Sequence, residues 1–274
     1  MPLSELGGKR LPFLRWSTVR MLLGMRRLTT EWQVGDGREL ALARHVEAEA
    51  RPGEIEHVIR VVDDFAYHRS FLINVGDEKG EILDAAIRRT KPRQLLELGT
   101  YCGYSALRAA RVMPAEARLV SIEFNAANAA IARRIWDHAG VGEQLTVLVG
   151  TLGDGGATIA RLEAEHGFSS GSLDFVFIDH DKSAYLPDLG RILDQGWLHP
   201  CSVVVADNIG QPGVPDYREF MRAEEGRTWR TREHGTHIEY QTLLKDLVLE
   251  SDYLGSRRGG SPVRAGYCSR RSLT

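Results

Sequence analysis

The chain has 274 residues, 43% of them hydrophobic, which is enough to build one large α/β domain around a real core. Its formal charge of -2 is unevenly spread. Residues 1–30 hold six basic side chains against Glu5 and residues 255–274 hold five arginines and no acid, so two +5 ends flank a stretch carrying -12. An acidic body argues against nucleic acid, whose binding is dominated by cationic contacts to phosphate, and leaves a small molecule as the expected partner.

In chain order, residues 11–28 (LPFLRWSTVRMLLGMRRL) are apolar and basic, but four arginines interrupt them and no run approaches the ~20 apolar residues of a spanning helix. The segment lacks the apolar core and cleavage site of a signal peptide. It is expected to be a solvated or core-docking terminal helix, with weak peripheral membrane contact as the alternative. Cys102, Cys201 and Cys268 form no CxxC pair, so neither a zinc knuckle nor a disulfide framework is expected, and the chain reads as cytoplasmic.

From 38 to 66 the pattern is helical with a break at 51–53, giving two helices ahead of a sheet. Strands are then expected at 94–98, 118–123, 145–149, 173–178 and 202–206, alternating with helices at 106–113, 126–139, 157–166 and 185–193. Near-continuous apolar strands between helices mean a parallel sheet covered on both faces. Beyond 216–222 the chain changes character: residues 228–233 and 237–244 are β-like and suggest an antiparallel hairpin at one edge. The Gly-, Ser- and Arg-rich 255–274 reads as a disordered tail. The expected organisation is a basic segment (1–37), a catalytic domain (38–254) and that tail.

The most informative stretch is ELGTYCGYS at 97–105, where a strand enters a Gly-containing turn and then a helix N-terminus. Gly99 and Gly103 let the main chain approach a ligand, and Glu97 places a carboxylate at the strand end. The spacing, E-x-G-x-x-x-G, departs from the dinucleotide fingerprint G-x-G-x-x-G and suits S-adenosylmethionine better than NAD. Glu123 ends the next strand, 20 residues after Gly103, where a carboxylate accepts both ribose hydroxyls; the competing reading makes it a cap for the following helix.

Ligands of such sheets bind at the carboxyl ends of the strands. Asp179 closes the fourth strand and Asp207 with Asn208 the fifth, and neighbouring parallel strands bring their ends within ~5 Å. Three hard oxygens with room for water describe a magnesium site, whereas His180 is expected to point away and pack. Lys182, three residues after Asp179, is a candidate general base. Glu239 falls in the β-like THIEY at 236–240 and reaches the site only if the edge hairpin folds over it.

The stretches NVGDEKG (74–80), LLELGTYCGYSALR (95–108), ARLVSIEFN (117–125), DFVFIDHDKSAYLPD (174–188), ADNIGQPGVPD (206–216) and HIEY (237–240) together resemble catechol O-methyltransferase, a magnesium-dependent small-molecule methyltransferase. The resemblance spans about two-thirds of the chain. It implies a single Rossmann-like class I methyltransferase domain with a mostly parallel seven-stranded sheet, an antiparallel edge and helices on both faces. It gives the metal to Asp179, Asp207 and Asn208, the general base to Lys182, and the second catechol hydroxyl to Glu239. It matches Val75, Glu97, Gly99, Tyr101, Ser105, Glu123 and Asp179 to cofactor contacts, with Phe124 and Leu152 beside the adenine.

The chain departs from that family at Asp181, where an aromatic gatekeeper is the rule, and at Phe71 and Ile73. Asp181 is expected to give a wetter mouth that favours polar or cationic diols. The implied reaction is methyl transfer from S-adenosylmethionine to one hydroxyl of a vicinal aromatic diol. The alternatives are another metal-chelating acceptor, a non-catalytic S-adenosylmethionine-binding module, and an NAD-dependent oxidoreductase, which the loop spacing disfavours.

Overall fold

In the computed structural model, which describes residues 33, 35–241 and 243–255, seven strands form one sheet in the order β3-β2-β1-β4-β5-β7-β6. The first five are parallel: β1 Gln94–Leu98, β2 Arg118–Glu123, β3 Leu145–Val149, β4 Leu173–Ile178 and β5 Leu198–Ala206. Then β7 (Lys245–Tyr253) runs antiparallel to β5, and β6 (Trp229–His237) pairs antiparallel with β7 at the edge. This is the mostly parallel, Rossmann-like sheet with an antiparallel edge that the resemblance implies.

Apolar residues follow one another along the parallel strands because both faces are covered. In β4, Phe175 and Phe177 enter one core layer while Val176 and Ile178 enter the other; in β5, Val203 and Val205 oppose Val204 and Ala206 in the same way. The first layer is closed by α1 (Arg38–Glu49), α2 (Ile55–His68), α3 (Gly76–Thr90), α4 (Tyr104–Val112) and α5 (Ala126–Ala139). The second is closed by α6 (Ala157–His166), α7 (Tyr185–Asp194) and α8 (Pro215–Ala223), with Trp197 and Tyr217 fully buried among them.

Three elements depart from the sequence reading. Helix α3 carries no clear apolar stripe, because Lys79 and Asp84 occupy inward positions alongside Leu83 and Ile87. Strand β5 starts at Leu198, four residues before the expected 202, with a register shift where Pro200 and the left-handed Cys201 interrupt the apolar run. The second edge strand is 245–253 rather than 237–244. In the connection before it, the Gln241 side chain accepts from the amides of Leu243 and Leu244 and donates to the carbonyls of Ile238 and Leu244, replacing a strand partner.

Cys102 is a buried free thiol, but Cys201 is disulfide-bonded, against the expectation of no disulfide. The basic segment 11–28 and the tail beyond Gly255 lie outside the described residues. No helix among the described residues is long and apolar enough to cross a membrane.

Candidate active site

Register places the carboxyl ends of the parallel strands on one edge: Leu98 lies opposite Ile122 and Ile178, and Ile178 opposite Ala206. Strand order reverses between β1 and β4, the switch point where open α/β sheets bind ligands. A cleft of about 470 Å³ opens there. Of the candidate residues, Val75, Gly99, Tyr101, Ser105, Glu123, Phe124, Leu152, Asp179, Lys182, Asn208 and Glu239 line it; Glu97 and Asp207 lie behind the lining.

The loop between β1 and α4 forms one wall. Gly99 has φ 98°, and a Cβ there would collide with the Asp179 carbonyl, so only glycine lets β1 and β4 close at this point. Gly103 has φ 82° and packs on Trp136, whose Nε1 donates to its carbonyl at 2.9 Å. The Glu123 carboxylate accepts from the amides of Thr100 (3.2 Å), Tyr101 (2.8 Å) and Asn125 (2.9 Å), so it fixes the loop while facing the cleft. It does not cap α5. Asn125 does, its side chain accepting from Ala127 and Asn128.

Glu97 is 1% exposed and is held by Ser105 Oγ at 2.5 Å and by Ser121 Oγ. Burial pushes its carboxyl up to about 7 against those two hydrogen bonds, a state that a cationic ligand group nearby would relieve. The Tyr101 hydroxyl turns away to Glu39 at 3.0 Å, which leaves its backbone facing the cleft. Phe124, at 42% exposure, presents an open ring face beside Leu152 on the cleft wall.

The other half of the cleft is ionic. Lys182 Nζ donates to Asp179 Oδ1 (3.0 Å), Asn208 Oδ1 (2.8 Å) and the Tyr185 hydroxyl (2.7 Å), which in turn donates to the Asp207 carbonyl at 3.2 Å. Behind them Lys79, 1% exposed, meets Asp207 Oδ1 at 2.8 Å, Glu239 Oε1 at 2.5 Å and Asp246 Oδ2 at 3.0 Å. Burial drives Asp207 up to about 7; Lys79 pulls it down, while Asp179 and Glu239 push it further up. Asp179, Asp207, Glu239 and Asp246 against Lys79 and Lys182 leave a formal -2 in one buried cluster.

A dication fits this set. Asp207 Oδ2 is buried without a hydrogen-bond partner, and the Lys182 ammonium lies between Asp179 Oδ1 and Asn208 Oδ1, at a point where both oxygens favour positive charge. Among the described residues no group of three or more His, Cys, Asp or Glu is arranged to hold a metal; here the third oxygen comes from an amide. Oxygen donors of this kind suit magnesium.

The model of a family described as O-methyltransferase matches residues 53–213, more than half of the chain. The chain belongs to the O-methyltransferase family. It is 60% identical over 235 residues to a Mycobacterium tuberculosis protein described as "Probable O-methyltransferase Rv1703c", covering 86% of this chain and all of that one. It is also 36% identical over 232 residues to mouse catechol O-methyltransferase, covering 85% of this chain and 84% of the mouse protein. Its fold is shared with a Bacillus cereus O-methyltransferase solved in complex with SAH, at a TM-score of 0.58, 19% identity and coverage of 86% and 99%.

For an O-methyltransferase, three placements were not anticipated. Asp181 is exposed and turned to Ser183, accepting from its amide at 2.8 Å and its hydroxyl at 2.7 Å, so it caps the short 3-10 turn Lys182–Ala184 and is not among the residues lining the cleft. The expected cation-attracting mouth is therefore not built by Asp181. His180 stacks on Tyr185 (5.2 Å, 8°) and bonds Asp188 at 2.8 Å, so it packs as expected, yet it also lines the cleft. Glu239 stands on the connection after β6 rather than on a strand. Lys79, Tyr185 and Asp246 escaped the sequence reading; the signals were the presence of Lys79 within the NVGDEKG stretch and of Tyr185 within DFVFIDHDKSAYLPD, and Asp246 lay in neither.

Proposed function

We propose that this chain transfers a methyl group from S-adenosylmethionine to one hydroxyl of a vicinal aromatic diol, with magnesium at Asp179, Asp207 and Asn208. The catalytic unit in this reading is residues 38–254. One observation carries it: two strand ends and the 238–244 connection gather a lysine, an amide oxygen, an orphaned carboxylate oxygen and Glu239 beside a cleft that also contains the Gly99–Gly103 loop. The relationship to mouse catechol O-methyltransferase supports the acceptor class.

When bound, S-adenosylmethionine supplies an electrophilic methyl on sulfur, and magnesium a positive centre that acidifies a chelated hydroxyl. Glu123, the Gly99–Gly103 backbone, Ser105, Phe124 and Leu152 hold and orient the cofactor. Lys182, steadied by Tyr185, would act as general base in its neutral amine form, after its ammonium proton has passed to solvent, and take the proton of the attacking hydroxyl, while Glu239 accepts from the second hydroxyl, which fixes the diol in line for displacement. Burial raises the Tyr185 phenol well above its ordinary range, with Asp179 and Asp207 adding to it, so Tyr185 stays protonated and donates to the Asp207 carbonyl while receiving Lys182.

With Asp181 turned to Ser183, the slot has no side chain from that position on its wall, while Phe71, Ile73, Gln211 and Pro212 line it elsewhere. This favours diols broader than catechol itself. The test is a methylation screen of simple and extended diols with labelled cofactor and magnesium. Transfer to diols and none to the matching monophenols is the expected result. Equal transfer to monophenols would remove the chelation mechanism.

A further inference from the structure

We propose that Asp246, together with Lys79, forms a positioning pair that locks the Asn208 amide with Oδ1 toward the cation and Nδ2 toward the protein, and that holds Glu239 beside it. The inference rests on the metal-assisted reading above. Neither residue lines the cofactor half of the cleft.

The orientation of Asn208 follows from its neighbours. Its Oδ1 lies 2.8 Å from Lys182 Nζ, which as an ammonium can only donate; its Nδ2 lies 3.1 Å from Glu239 Oε1 and 3.1 Å from Asp246 Oδ2, which as carboxylates can only accept. The backbone adds a second constraint, because Asn208 sits at φ 54°, in the left-handed region that asparagine tolerates better than most residues. A flipped amide would aim two N–H groups at the cation position and an oxygen at two carboxylates.

Asp246 is the hub that prevents the flip. Its Oδ1 accepts from the amides of Gly210 (3.0 Å), Gln211 (2.9 Å) and Leu247 (2.7 Å), which ties β7 to the turn following Asn208. Its Oδ2 accepts from Lys79 and Asn208. Five donors on a side chain that is 0% exposed leave it no freedom to move. Lys79 cannot leave either. A buried ammonium is costly unless paired, and its three carboxylates come from the end of β5, from the 238–244 connection and from β7. The pair therefore fixes Asn208 Oδ1, Asp207 and Glu239 relative to one another.

Outer partners of metal ligands typically change metal affinity 10–100-fold when altered. Asp246→Asn is the informative variant. Its remaining oxygen can still accept the three backbone amides, but its new NH₂ would face Lys79 and the Asn208 amide, donor against donor. Binding of Mn²⁺, read from the free-ion EPR signal, and of Mg²⁺, read by calorimetry, is expected to weaken about 10–100-fold, with S-adenosylmethionine affinity unchanged and kcat recovering at high metal.

Adding Asn208→Asp to Asp246→Asn reverses the polarity of the contact: the amide at 246 donates to the carboxylate at 208, which keeps an oxygen toward the cation. At least tenfold of the lost affinity is expected to return, and more than Asn208→Asp alone adds to wild type, a coupling that a purely structural role for Asp246 does not produce. A folded Asp246→Asn that binds both ions like wild type overturns the inference, as does a double variant that binds no better than the single one. If Asp246→Asn alone does not fold, the double variant is compared with wild type: affinity within about tenfold supports the inference, and a folded protein blind to metal overturns it. Wild-type protein that binds neither ion would overturn the metal-assisted reading, and this inference with it.

Discussion

Lys182 bonds Asp179, Asn208 and Tyr185 at once, so the residue proposed to take the proton is held by the groups proposed to hold the cation. Lys182→Ala is expected to lower kcat about 10²–10⁴-fold with a much smaller change in KM. A nitrocatechol already ionised near neutral pH should lose far less than catechol, because it brings no proton to remove; steady-state rates for both acceptors check this, and equal losses would reassign Lys182 to positioning. Glu123 gives a second residue-scale test. Glu123→Ala should weaken S-adenosylmethionine by about 1.5–3 kcal/mol, the range for a hydrogen bond to a charged group, as measured by calorimetry. These residues were legible in the sequence because they close an apolar strand or follow its end within a few residues, and in a parallel sheet every strand end points to the same cleft. Lys79 and Asp246 were not, since a charged residue inside an amphipathic helix or strand gives no sign of its partner, here 167 residues away.

At the scale of elements, α2, α4 and the 238–244 connection meet at Asp63, which accepts from Tyr104 at 2.6 Å and from Tyr240 at 3.2 Å, while the Tyr67 ring packs edge-on against Tyr240. The contact anchors the connection that carries Glu239. Burial raises Asp63 from 3.8 to about 6, the two tyrosine hydrogen bonds lower it, and nearby Asp77 raises it. Between those values the folded chain keeps a proton that the unfolded chain has lost, so this group's effect on stability worsens as pH rises from about 4 to 6 and is then constant. The difference is on the order of 3 kcal/mol at neutral pH. Asp63→Asn keeps an oxygen to accept both hydroxyls and removes the ionisation. Denaturant unfolding at pH 4.5 and 7.5 should show the variant gaining much more on wild type at the higher pH, since at pH 4.5 only about a third of the effect has developed; an equal difference at both would mean Asp63 is ionised throughout. The five parallel strands could be read from sequence because continuous apolar runs report burial on both faces. Helix α3 and β7 could not, because both spend inward positions on the charges that build the site, and polar groups placed inward erase the periodicity that marks an element.

Over the whole molecule, the two halves of the cleft come from different parts of the chain. The half proposed for the cofactor is built by β1, β2, β3 and the loops after them, in the parallel sheet. The acceptor half needs α3, the ends of β4 and β5, the connection after β6, and β7, so it is complete only when the antiparallel edge has docked. Its formal -2 is a liability to the folded state while no cation is present, because like charges are held together away from water. Magnesium should therefore stabilise the protein beyond the role proposed for it in the reaction. At a concentration 100 times its dissociation constant, binding to the folded state alone adds about 2.7 kcal/mol, which for a domain of this size raises Tm by roughly 5–11 °C. Asp207→Asn should lose most of that shift and keep the shift given by S-adenosylmethionine, since the cofactor half does not include residue 207. Chelation of divalent ions should abolish turnover in wild type without lowering cofactor affinity. Thermal unfolding with each ligand separately, alongside turnover in excess chelator, decides the matter: full activity without divalent ions would leave the acidic cluster as a structural feature and remove magnesium from the mechanism.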